Sequence, residues 1–292
     1  MPGSDTLATG LAASRALAVG FVFVIFGTLL VATIIARPTA GDGGATDPHH
    51  GFAALLLGAL PGAVLALGLW FGLQTAAMAQ TDSIRETLAR VPEVLLHTDF
   101  GHLMLLRLGL LGGIGLALAA DRPGAATVFA GFAAALQAGH LHALAIWHGP
   151  NLLLASETLH VLAAASWLGS LPALLLVIVS VPPRRAMATL RRFSFMGIGA
   201  VLVVGATAAL QADWLAGGPL SLAATAYGRI CLAKMVLFSL LLALAVRNRW
   251  RLRRGAEAVP ALGSSLRAAL VLAALVLVLA AILSAMPPPS EA

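Results

Sequence analysis

Residues 16–36 read ALAVGFVFVIFGTLLVATIIA, a run of 21 residues that contains no charged side chain. An α-helix rises about 1.5 Å per residue, so about 20 apolar residues cross the hydrocarbon core of a bilayer, which is about 30 Å thick. The run is longer than the apolar part of a secretory signal peptide, which spans about 7–15 residues. It therefore predicts a transmembrane helix.

The rest of the chain repeats this pattern. Of its 292 residues, 60% are hydrophobic and only 10% are charged, whereas soluble domains carry about a quarter charged residues. No stretch is polar enough to form a soluble domain, so we expect residues 1–292 to form a single membrane-embedded domain. The predicted fold is an all-α, polytopic transmembrane helix bundle of about eight spans, near 16–36, 52–78, 101–120, 124–146, 152–181, 195–215, 229–247 and 267–286.

Residues 81–102, TDSIRETLARVPEVLLHTDFGH, mix polar and apolar side chains at helical spacing. This pattern predicts a short amphipathic helix that lies on one face of the membrane, and Pro92 is expected to interrupt it.

The arginines predict the orientation of the bundle. They are concentrated in two connections between spans, 182–194 and 247–267, which should therefore be cytoplasmic. With about eight spans, both termini then lie on the outer side. Although the formal net charge is +6, these arginines have no interleaved aromatic residues. We therefore expect the partner to be the lipid bilayer and not nucleic acid.

Six of the eight histidines fall on the outer side in this arrangement. His140 and His160 lie at similar distances from the short turn at 147–151, so antiparallel neighbouring helices would hold both imidazoles at the same depth. Ionisable groups inside a membrane are costly and tend to be functional. The two histidines are therefore predicted to share one ligand, whereas His97, His102 and His148 are equally compatible with interfacial hydrogen bonding.

Glu157, His160, Ala164 and Trp167 share one helical face, and Glu157 is predicted to orient His160 or to supply an oxygen ligand. Imidazole binds copper, zinc, iron and nickel, and the spacing of these residues does not select one metal. The candidate metal ligands are His140, His160, Glu157, His142 and His102. Further candidates are Met78, Met104, Met286 and Cys231, although methionine is common in apolar packing.

Two cationic residues lie inside apolar runs. Each must find an acceptor, a water cavity or a lipid headgroup, and extension to the membrane interface is expected more for Arg107 than for Lys234. Glu157 and Asp213 are the candidate counter-charges.

A family resemblance is carried by five segments in order: GHLHA (139–143), LHVLAAASWLGSLPALL (159–175), RRFS (191–194), TAYGRICLAKMVLF (225–238) and LSAMPPP (283–289). They resemble the copper resistance protein D family, CopD or PcoD, from about residue 90 onward. His140 and His160 match histidines of the family pattern. The segment TDFGHLMLLRL (98–108) is similar to the family's TxFGRxxLLRL, with His102 in place of an arginine.

The resemblance implies a copper transport or homeostasis protein, not an enzyme, in a bacterial inner (cytoplasmic) membrane. It also implies a periplasmic N-terminus, in agreement with the orientation predicted from the arginines, and a periplasmic copper carrier of the CopC type as partner. The sequence contains no ATP-binding P-loop, so transport would be passive or coupled to a gradient. The alternative is a membrane redox protein that holds haem between His140 and His160, because paired histidines on adjacent helices also suit haem iron.

Overall fold

The computed structural model describes residues 2–35, 49–81, 83–138, 150–215, 225–284 and 286. This part of the chain is folded into α-helices and contains no strand. In chain order the helices are α1 Pro2–Leu30, α2 His49–Ala79, α3 Ile84–His97, α4 Asp99–Ala119, α5 Pro123–Ala135, α6 Pro150–Leu168, α7 Leu171–Ser180, α8 Pro183–Leu215, α9 Ala226–Arg253 and α10 Val259–Leu283. A π-helical turn, Val31–Ile35, extends α1.

Seven segments of the described chain are long and apolar enough to cross a membrane: Thr6–Ile35, His50–Ala79, Asp99–Ala119, Leu152–Ser180, Pro183–Ala212, Ala226–Arg253 and Ala256–Leu283. They confirm the predicted all-α polytopic bundle. The predicted span at 124–146 corresponds to α5, an apolar helix of 13 residues that ends at Ala135. The predicted helix is therefore confirmed up to Ala135 and wrong at residues 136–138, because Leu136 and Gln137 form a turn. Residues 139–146 of the predicted span lie outside the described residues.

Three other local predictions need correction. Pro92 does not interrupt the amphipathic helix, because α3 runs through it. The arginine-rich connection predicted at 182–194 is the first part of α8, which begins at Pro183, where proline suits the first turn of a helix. The connection predicted at 247–267 is likewise mostly helical, since α9 continues to Arg253 and α10 begins at Val259.

Arginine side chains form hydrogen bonds between the ends of several helices at one end of the bundle. Arg192 donates to the carbonyl of Ile35 at the end of α1, and Arg191 donates to the carbonyl of Leu252 near the end of α9. Cations are favourable at helix C-termini, where carbonyl groups lack partners. Further contacts at this end join Arg247 to Ser265, Arg249 to Ser194 and Arg251 to the carbonyl of Ala261.

The predicted fifth span is two helices, α6 and α7, which are separated by Gly169 and Ser170. Helix α1 passes this break so closely that a Cβ atom on Gly27 would overlap the backbone of Gly169 and Ser170. A Cβ atom on Gly169 would overlap the carbonyl oxygen of Phe23. The Ser170 hydroxyl donates to the carbonyl of Ser166 at 2.6 Å, and its oxygen also lies 3.3 Å from the carbonyl oxygen of Gly27. Small residues allow such backbone contact between membrane helices.

Candidate functional site

A cavity of about 190 Å³ lies inside the bundle between α1, α6, α8, α9 and α10. It lies toward the end opposite the arginine-rich helix ends, since its lining includes Tyr227 at the start of α9 and Ser284 directly after α10. Apolar side chains form most of its wall. The polar residues that line it are Arg15, Gln137, Glu157, His160, Gln211, Tyr227, Lys234 and Ser284.

The imidazole of His160 is held by a threonine of α8. Its Nδ1 lies 2.9 Å from Oγ1 of Thr207. The Thr207 hydroxyl donates to the carbonyl of Val203 at 2.6 Å, so its oxygen is free to accept a hydrogen bond from the protonated Nδ1. This arrangement selects the tautomer in which Nε2 carries the lone pair, as hydrogen bonds to metal-binding histidines commonly do. His160 therefore offers one nitrogen ligand, and Thr207, not Glu157, orients the ring.

Glu157 supplies a carboxylate to the same cavity from one helical turn before His160, and it is only 8% exposed. Arg15 of α1 and Lys234 of α9 are the two cations that attract this carboxylate. Within the described residues, however, the only ion pair closer than 4.0 Å is Arg90–Glu93 on exposed α3. Glu157 therefore interacts with its cations across the cavity, and its oxygens remain accessible from it.

Beside this cavity, the guanidinium groups of Arg15 and Arg107 both make cation–π contacts with the ring of Trp70. Cζ of Arg107 lies 4.9 Å from the ring centroid, and Cζ of Arg15 lies 5.4 Å from it. Arg107 is 2% exposed, and its Nη2 donates to the carbonyl of Leu136 at 3.0 Å. The expectation that Arg107 extends to the membrane interface is therefore wrong, because the aromatic ring and the carbonyl hold it inside the bundle.

The structure places the predicted metal ligands in different surroundings. Glu157 and His160 both line the cavity. His102 is exposed at the start of α4, where its Nε2 lies 3.0 Å from the carbonyl of Leu96. His140 and His142 lie outside the described residues, as does the turn residue His148. The site predicted to be shared by His140 and His160 therefore stays a prediction.

Of the other residues singled out from the sequence, some line the cavity and others lie elsewhere in the bundle. Ala164 lines the cavity with Glu157 and His160, but Trp167 packs against Phe238 in another part of the bundle. Lys234 faces the cavity as expected. Met104 is buried in the apolar core. The described residues contain no group of three or more His, Cys, Asp or Glu side chains arranged to hold a metal ion.

Sequence reasoning missed several residues of the cavity. Gln211 comes from α8, Tyr227 from α9 and Arg15 from α1. Thr207 of α8, which bonds His160, was missed as well. A signal for them was present, since each is a polar group within or beside an apolar run.

Comparison with family models gives two matches in chain order. Residues 5–149 match the model described as copper resistance protein D-like, N-terminal domain. Residues 187–283 match the model described as copper resistance protein D. The chain belongs to the copper resistance protein D family. Searches of curated proteins and of solved structures gave no match.

Membership of the copper resistance protein D family confirms the resemblance and extends it toward the N-terminus, because the matched region begins at residue 5. It establishes a role in copper resistance or homeostasis and, with the seven candidate spans, a multi-pass protein of the inner membrane. Among the described residues, the polar cavity is the candidate site for a role in copper resistance.

Proposed function

We propose that this copper resistance protein D family member moves copper across the inner membrane and receives the ion in the cavity that contains His160 and Glu157. The observation that carries the proposal is the hydrogen bond between Nδ1 of His160 and Thr207, which leaves Nε2 as the acceptor nitrogen of a side chain that lines the cavity. A neutral imidazole is a good copper ligand. His140 is proposed as the second nitrogen donor, as its position in the family pattern suggests.

Charge supports a role for Glu157 in the same site. A copper ion that loses its water shell inside a membrane needs a nearby negative charge, because buried unpaired ions are costly. Among the described residues that line the cavity, Glu157 is the anionic group, and it faces two cations. When copper binds, Glu157 would interact with the metal ion, and its electrostatic interactions with Arg15 and Lys234 would become weaker.

The positions of the arginines support a proposal for the side of the membrane from which copper enters. The cavity lies at the end of the bundle away from the arginine-rich ends of α8 and α9. The positive-inside rule puts those arginines in the cytoplasm, so the cavity would face the periplasm. A periplasmic copper carrier of the CopC type is the proposed donor of the ion. The rival haem hypothesis requires His140 as an axial ligand, and no observation on the described residues favours it.

Topology provides the first prediction. A reporter fused after Arg254 should be active only inside the cell, and one fused after Ala292 only outside, because the arginine-rich helix ends stay in the cytoplasm. Leu11 and Ser284, near the two ends of the chain, line one cavity, which supports termini on one side of the membrane. With seven candidate spans, this orientation requires that the segment of α5 completes an eighth crossing. Activity of both fusions on the same side would refute the proposed orientation.

Copper uptake tests the proposed function through Lys234, the only lysine in the chain. In proteoliposomes that contain a trapped copper-sensitive dye, the intact protein should accelerate copper entry. Lys234→Met should lower that rate about tenfold, corresponding to an electrostatic interaction of about 1.4 kcal/mol, because the copper ion held at Glu157 would no longer be displaced by this cation.

Lys234→Arg keeps the positive charge and is the matched control, so it should retain most of the uptake. Folding of each variant is checked by size-exclusion chromatography in detergent. Unchanged uptake by folded Lys234→Met would show that the lysine has no part in transport. No acceleration by the intact protein would reject the transport proposal itself.

A further inference from the structure

An apolar groove of about 330 Å³ lies between α8 and α9 near the arginine-rich helix ends. Its inner wall includes the buried side chains of Leu174, Leu241 and Leu262. Exposed apolar side chains of α8 and α9 also line it, namely Ile198, Leu202, Leu242 and Val246. Because both helices belong to candidate membrane spans, the groove opens toward the hydrocarbon of the bilayer and not toward water.

The groove is about as long as one leaflet of the bilayer is deep. Its lining runs from Leu190 to Leu202 along α8 and from Leu241 to Leu252 along α9, which corresponds to about 16–18 Å at about 1.5 Å per residue. Half of the hydrocarbon core measures about 15 Å. The length therefore suits one acyl chain of a lipid in the adjoining leaflet.

Arginine side chains lie at one end of the groove. Arg249 lines it and is partly exposed, and its Nη1 donates to Oγ of Ser194 on the opposite helix at 2.9 Å. A guanidinium has five N–H donors, so this bond leaves others for a ligand. Arg253 is exposed one turn further along the same face of α9. Among the described residues, no carboxylate lies within 4.0 Å of either arginine, since the ion pair at that range is Arg90–Glu93.

Trp250 indicates the depth of these arginines in the membrane. It directly follows Arg249 and is 65% exposed, and tryptophan is enriched at the level of the lipid headgroups. Arg249 and Arg253 therefore lie where lipid phosphates lie, and the apolar groove extends from them into the hydrocarbon. Basic pockets between membrane helices favour anionic headgroups.

We propose that one anionic phospholipid occupies this groove, with an acyl chain between α8 and α9 and its phosphate at Arg249 and Arg253. A second copy of the chain is a poorer occupant. A symmetric contact through this face would place the same arginines of both copies against each other. The site lies away from the cavity of His160 and Glu157 and does not depend on the proposed copper transport.

Defined lipids added to the purified protein in detergent, without copper, test the proposal. Native mass spectrometry should find one phosphatidylglycerol retained per chain, with about tenfold weaker retention of phosphatidylcholine of the same acyl chains. Phosphatidylglycerol should also raise the Tm by about 5 °C, because a ligand of the folded state stabilises it by mass action. Inorganic phosphate should leave the Tm unchanged, because it lacks the acyl chain.

Equal retention of the two lipids, or retention of neither, would overturn the proposal. So would a Tm that rises as much with inorganic phosphate as with phosphatidylglycerol. A protein that is dimeric in lipid-free detergent and does not respond to phosphatidylglycerol would assign the groove to a second copy.

Variants of the arginines test the headgroup contact. The Arg249→Gln, Arg253→Gln double variant should bind phosphatidylglycerol about tenfold more weakly and lose the preference over phosphatidylcholine. Arg229→Gln changes an exposed arginine near the other end of α9 and should keep both. If the double variant does not fold, Arg253→Gln alone changes an exposed side chain and should lower the affinity about threefold. An unchanged preference in folded protein would place the phosphate elsewhere.

A variant that fills the groove tests the acyl-chain contact. Ala245 lines the groove, so Ala245→Phe should prevent retention of phosphatidylglycerol. Ala243→Phe is the matched control, because Ala243 is exposed on α9 and is not part of the lining. Retention that is equal in the two folded variants would reject the groove as the site.

Discussion

Replacing His160 with alanine is expected to reduce copper affinity more than about 100-fold, since even outer hydrogen-bond partners of metal ligands contribute about 10–100-fold. His140→Ala should have a similar effect, and the double variant should add little, because two ligands of one ion act jointly. Affinity is measured by competition with a chelator at one constant pH, because protonated imidazole does not bind metals.

Thr207→Val provides a graded test of the same site. It removes the acceptor that fixes Nδ1 of His160 and should lower copper affinity about 10–100-fold without removing a ligand. Thr158→Val is the matched control, because the Thr158 hydroxyl bonds the carbonyl of Leu154 in its own helix. Copper binding that is unchanged in a folded His140→Ala, His160→Ala double variant would place the site elsewhere.

The second large effect is expected at the crossing of α1 with the break between α6 and α7. Gly27→Ala and Gly169→Ala should each destabilise the bundle by about 3 kcal/mol or more, the upper end of the range for overpacking. The added methyl group would meet backbone atoms in both variants, and backbone cannot rotate away as a side chain can. The yield of monodisperse protein in detergent and its Tm measure this effect.

Gly68→Ala is the control for this pair, because nothing lies within 4 Å of the position that its new Cβ would take. It should leave the Tm unchanged or raise it, since alanine favours a helix more than glycine does. A Gly169→Ala protein as stable as the unaltered chain would show that α1 and the α6–α7 break are not in the close contact described above.

The spans were predictable because each one depends on local composition alone. A run such as residues 16–36 must be helical in a bilayer, where every backbone group needs a partner within the chain. Helix ends were less predictable. Charged residues such as Arg184 and Arg251 indicated connections, yet α8 and α9 include them, because a helix can continue beyond the apolar core.

The site was predictable only in part. The spacing of Glu157 and His160 on one helix placed both on a common face, and both line the cavity. Their partners Thr207, Lys234 and Arg15 come from three other helices, and no spacing within the chain relates residues so far apart. The burial of Arg107 was missed for the same reason, since its aromatic neighbour Trp70 belongs to α2.

The sequence by itself determined that this protein is an α-helical bundle in a membrane, because hydrophobic composition and helix length are properties of each segment. Its motifs also determined the family. Only the tertiary structure decided which polar groups share a cavity, which nitrogen of His160 bonds Thr207 and which cation has buried donors without an acceptor. These features depend on how helices distant in sequence pack and where α6 breaks, and such contacts are set by side-chain and backbone fit across helices.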